Sequence, residues 1–71
     1  MKRYVLLNYA NHVRREVHFA LVGIDSQYST IEQYRDEARH IVAALHGVKT
    51  DEIEALNYQV CDSLEFINTL R

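Results

Sequence analysis

The sequence predicts a small α+β domain in which an N-terminal two-stranded antiparallel hairpin is packed by two amphipathic helices, in the order ββαα. Three observations lead there. Residues 3–24 are rich in aromatic and β-branched side chains, which favour extended backbone. Residues 31–45 repeat apolar side chains at helical spacing between a capping signal and a glycine. Residues 53–67 repeat them again at the same spacing. An all-α helical bundle is the alternative.

The first element is Arg3–Tyr9, where Tyr4, Val5, Leu6, Leu7 and Tyr9 read as a buried or half-buried strand. Polar Ala10–Arg15 follows. In Glu16–Ile24, Val17, Phe19 and Leu21 alternate with His18, Ala20 and Val22, which predicts a second strand and a hairpin. Val13, Val17, Ala20, Leu21 and Ile24 also fit a helical stripe with Asn11 as N-cap, so residues 11–24 have two readings.

The next element is better defined. Ser29-Thr30-Ile31-Glu32 has capping-box spacing. Ile31, Tyr34, Ala38, Ile41, Val42 and Leu45 then form one apolar helix face, and Gly47 stands where a left-handed residue ends a helix. Thr50 can cap a further helix, with Asp51 and Glu52 in its first turn. Its apolar stripe is Ile53, Leu56, Val60, Leu64 and Ile67, extending to about Leu70. A break near Asn57–Cys61 is the competing reading of residues 50–70.

The 71 residues suit one domain, residues 1–71, with a core of modest size. Such folds gain stability from a disulfide, a metal, regular helix packing or a second subunit. Cys61 is the only cysteine, so no intramolecular disulfide forms. A lone thiol and no recognisable leader point to a reducing, cytoplasmic setting. No apolar run is long enough to cross a bilayer as a helix. A homodimer is expected, built on the open edges that a two-stranded sheet leaves.

The net charge is −2 and unevenly placed. Lys2, Arg3, Arg14 and Arg15 face only Glu16 in the first third, whereas Asp51, Glu52, Glu54, Asp62 and Glu65 dominate the last. In a hairpin the two basic pairs stand at opposite ends, roughly 20 Å apart at about 3.3 Å per residue. That spacing and the acidic C-terminal third make nucleic acid an unfavourable partner.

Catalytic and metal motifs are weak. Glu37-x-x-His40 has the spacing of carboxylate-bridged metal sites, but those need a second such pair and further carboxylates. His40 and His46 are out of helical phase for chelating one ion. His18 is set apart by lying on one face of the hairpin. Cys61 lies at the edge of an apolar stripe, where free thiols are buried and inert. Two glycines, Gly23 and Gly47, cannot build a phosphate-cradling loop. No catalytic, metal or cofactor-binding residue is assigned.

The expected function is therefore non-enzymatic: a protein-binding or regulatory module acting on an unidentified protein through the solvent face of the last helix. That face would present Glu54, Tyr58, Asp62, Glu65 and Phe66, two aromatics ringed by acidic charge. The alternatives are a small nucleic-acid-associated regulator and an accessory subunit or assembly factor of a larger complex. No membrane role is expected.

Overall fold

A computed structural model describes residues 2–62 of the chain. Residues Arg3–Asn11 (β1) and Glu16–Ile24 (β2) form a hairpin in which Asn11 pairs with Glu16 and Arg3 with Ile24. The turn between them is organised by Asn11, whose side-chain oxygen accepts the Val13 and Arg14 amides at 3.1 and 3.3 Å. The same two bonds would cap a helix; what decides against one is the left-handed Arg15, φ 57°, and the unbroken pairing of residues 16–24 with β1. Residues 16–24 are thus a strand.

Helix α1, Ile31–His46, starts one residue later than the Ser29–Glu32 spacing implies. Thr30 is the N-cap: its hydroxyl accepts the Gln33 amide at 3.3 Å, and the Gln33 side chain accepts the Thr30 amide at 3.0 Å. The helix ends at Gly47, which is left-handed at φ 69° and donates to the carbonyls of Ala43 and Ala44. Tyr34, Ala38, Val42 and Ala43 are buried. Ile31 and Leu45 are not on the buried face; Leu45 is 81% exposed. The stripe that meets the sheet runs along positions four apart, so it turns away from Leu45 and takes in Ala43 instead.

The second expected helix is absent from the described residues. A single 3-10 turn, Thr50–Glu52, leads into strand Ile53–Cys61 (β3), which pairs antiparallel with β1 on the side away from β2. The described order is ββαβ, with strand order β2-β1-β3. Segment 53–61 reads as a helix because a bulge interrupts its alternation: Tyr9 pairs with Ala55 but Asn8 pairs with Asn57, leaving Leu56 over. One extra residue shifts the period of two and places Ile53, Leu56 and Val60 at apparent helical spacing. The open edge of β1 decides the outcome, since a third strand satisfies backbone groups that a hairpin alone leaves unpaired.

The core lies between α1 and one face of the sheet. Val5, Leu7 and Tyr9 of β1, Val22 and Ile24 of β2 and Ile53 of β3 meet Tyr34, Ala38, Val42 and Ala43. Among the described residues no helix is long and apolar enough to cross a membrane.

Candidate protein-binding face

Alternation along three paired strands leaves a second face away from the helix. On β1 it carries Tyr4, Leu6, Asn8 and Ala10; their β2 partners in register are Gly23, Leu21, Phe19 and Val17. On β3 the residues opposite Tyr4, Leu6 and Asn8 are Cys61, Gln59 and Asn57. No helix or strand among the described residues covers this face. Phe19 is 66% exposed, Val17 64% and Leu21 48%. Leu6, Asn8, Phe19, Asn57, Tyr58 and Gln59 line a shallow open depression on it.

Among the described residues, charge on this face stands at the rim. At one end Lys2 Nζ lies 3.8 Å from Asp25, and at the other His12 Nε2 lies 2.7 Å from Glu54. Arg3 belongs to the opposite face: its guanidinium sits over the Tyr34 ring at 5.3 Å and 3.1 Å from Asp62. The basic residues of the first third are therefore divided between two ends and two faces. They do not line one phosphate track.

The five residues expected on one helical face do not share one. Glu54 pairs with Ala10 on the open face, whereas Tyr58 pairs with Leu7 and packs against the core, with the Arg35 guanidinium 5.5 Å from its ring. Positions 54 and 58 would share a face in a regular strand; the Leu56 bulge puts them on opposite ones. Asp62 follows the end of β3 beside Arg3. Glu65 and Phe66 lie outside the described residues. The sequence signal for the open face is the alternation of Val17, Phe19 and Leu21, which marks a strand but does not say which of its faces stays uncovered.

The histidines fall in different places. His46, on the last turn of α1, and His18, on the core-facing side of β2, approach with ring centroids 5.4 Å apart, and Tyr9 completes the group at 5.7 and 5.8 Å. His18 Nε2 is 3.3 Å from a Glu16 oxygen. Burial, and then the Glu16 charge, push the Tyr9 phenol above its usual range. His40 contacts the Thr50 hydroxyl at 3.2 Å, and Glu37 accepts from the Tyr28 hydroxyl at 2.6 Å, so Glu37 and His40 face different neighbours. Among the described residues, no group of three or more His, Cys, Asp or Glu is arranged to hold a metal ion. Cys61 is 3% exposed, and burial, with a smaller contribution from Asp62, raises its thiol pKa. Such a thiol is held in its less nucleophilic, protonated form.

Comparison of the chain with protein-family models, with curated proteins and with solved structures returned no match.

Proposed function

We propose that the protein is a small non-enzymatic protein-binding module whose first partner is a second copy of itself, recognised through β2 and the open face of the sheet. The observation that carries this reading is the exposure of Val17, Phe19 and Leu21 together on one strand. Stability within one copy favours polar side chains at such positions, and a row of exposed apolar side chains that includes an aromatic, next to uncharged amides and with charge at the rim, has the make-up of an interface. Among the described residues the cations of this face stand at its rim, Lys2 beside Asp25 and His12 beside Glu54, which sets nucleic acid below protein as the ligand class.

Sedimentation equilibrium tests the reading. The wild-type chain is expected at about twice its 8.3 kDa mass at micromolar concentration. Phe19→Lys should sediment as a monomer with unchanged secondary structure, because Phe19 contributes little to the core. A wild-type chain that stays at 8.3 kDa up to hundreds of micromolar overturns the proposal.

A further inference from the structure

The two edges of the sheet are treated differently. Natural edge strands are blunted by charged side chains, prolines or bulges, which prevent pairing with another chain. The β3 edge is blunted. It carries the Leu56 bulge, and Arg39 donates from Nε to the Ile53 carbonyl at 3.0 Å and from Nη2 to the Thr50 carbonyl at 3.1 Å. The β2 edge has none of these devices. From Val17 to Ile24 it holds no proline and no formal charge, and its nine residues pair regularly with β1.

The direction of its free backbone groups follows from a neighbouring bond. The His12 amide donates to the Glu52 carbonyl at 2.9 Å, towards β3. Within a strand these groups alternate sides, so the odd-numbered residues of β1 turn their amides and carbonyls towards β2. Their β2 partners Glu16, His18, Ala20, Val22 and Ile24 turn theirs back. Val17, Phe19, Leu21 and Gly23 therefore present both backbone groups to the open edge. Three of these four also carry the exposed apolar side chains.

We infer that two copies join by antiparallel pairing of β2 with β2, with Ala20 on the two-fold axis, giving a continuous six-stranded sheet. The inference rests on the proposed self-association and specifies its geometry. Outward-pointing residues must oppose outward-pointing residues, so the axis passes through a residue and not between two. Of the possible centres, Ala20 alone keeps the whole strand paired: Glu16 opposes Ile24 of the second copy, Val17 opposes Gly23, His18 opposes Val22 and Phe19 opposes Leu21. The four odd-numbered residues gain both backbone partners, and each Phe19 lies directly against a Leu21 on the open face. At the axis, where the pair is of the close, non-hydrogen-bonded kind with about 4.5 Å between Cα atoms, the side chains are two methyl groups.

Charge supports the same register. One residue beyond each end of the ladder, Arg15 comes opposite Asp25 of the second copy, twice by symmetry. The Asp25 side chain is 84% exposed, and among the described residues its cation is Lys2 at 3.8 Å, which leaves room for a second. Arg15 occupies a left-handed turn position, φ 57°, where glycine or asparagine costs less. A guanidinium held there at conformational cost is placed at the end of the β2 edge.

Cysteine cross-linking tests the register in a Cys61→Ala background. Mild oxidation should link Ala20→Cys into a disulfide dimer, because a close pair on the axis falls within disulfide geometry. Phe19→Cys should not link to its own copy, since the two positions are diagonal neighbours about 7–8 Å apart. A charge exchange gives a second readout. Arg15→Asp and Asp25→Arg should each raise the dimer dissociation constant about tenfold, the scale of losing two symmetric pairs to repulsion, and the double variant should recover it. Linking through Phe19→Cys in preference to Ala20→Cys would mean face-to-face packing and would overturn the register. A dimer in which neither position links, or in which the charge exchange does not recover, would overturn it too; both results leave self-association standing. A monomeric wild type overturns the proposed function itself.

Discussion

The Tyr9 hydroxyl lies 2.7 Å from Nε2 of His46, joining the central strand to the last turn of the helix across 37 positions of sequence. Tyr9 is 5% exposed, and the His18 ring lies against both Tyr9 and His46. The contact anchors α1 at its C-terminal end, beyond the Tyr34–Val42 stripe that holds the rest.

Removing that hydroxyl should therefore loosen the helix end without opening the core. Tyr9→Phe keeps the ring and loses one partly buried hydrogen bond, a cost of about 1 kcal/mol in urea unfolding. The pH dependence has a definite sign. A phenol raised by burial contributes stability that is fully present below its unfolded pKa of about 10 and is lost as pH rises through the higher folded value. Tyr9→Phe should flatten that alkaline limb, and an unchanged limb would place its origin elsewhere.

Two aspartate substitutions separate the helix face that packs from the one that does not. Val42 is 1% exposed, and Val42→Asp buries a carboxylate with no partner; a loss on the order of 4 kcal/mol is expected, enough to unfold so small a domain. Leu45→Asp, at an exposed site near the helix C-terminus, should cost about 0.5 kcal/mol or less. Thermal unfolding of both variants checks the contrast, and equal destabilisation contradicts the observed helix rotation.

Cys61 should resist alkylation in the native state. Its sulfur is covered and its thiolate disfavoured, so labelling by iodoacetamide at neutral pH is expected only at the rate of unfolding. Mass spectrometry across a urea series reads this directly. Rapid labelling without denaturant would show that the end of β3 opens.

Amide exchange should report the free edge. The Val17, Phe19, Leu21 and Gly23 amides have no partner in β1, so in dilute protein they should exchange much faster than those of His18, Ala20 and Val22. Raising the concentration through the association range should protect the four odd-numbered amides and leave the others unchanged. Four amides insensitive to concentration would place self-association away from the β2 edge.

Local chemistry was enough to favour the hairpin, with a helix over residues 11–24 as the rival, and to read helix α1 and its glycine stop from the residues alone. Each depends on short-range rules: alternation in Glu16–Ile24, hydrogen-bonding caps around Ile31–His46, and a left-handed position that Gly47 fills without a Cβ. Even here the cap is Thr30 with Gln33 and not Ser29 with Glu32, and the apolar face turns away from Leu45 because the residues that meet the sheet, Tyr34, Ala38 and Val42, stand four apart. Residues 53–61 were different. Their apolar positions fit a helix and a bulged strand alike, and only the unsatisfied edge of β1, more than forty residues earlier in the chain, favours the strand. That pairing also divided Glu54 from Tyr58 and left Val17, Phe19 and Leu21 uncovered on the far side of the sheet. Side-chain periodicity could show that β2 had two faces. Which face met the helix, and which edge was left without a neighbour, depended on where the third strand paired and how the chain crossed the sheet.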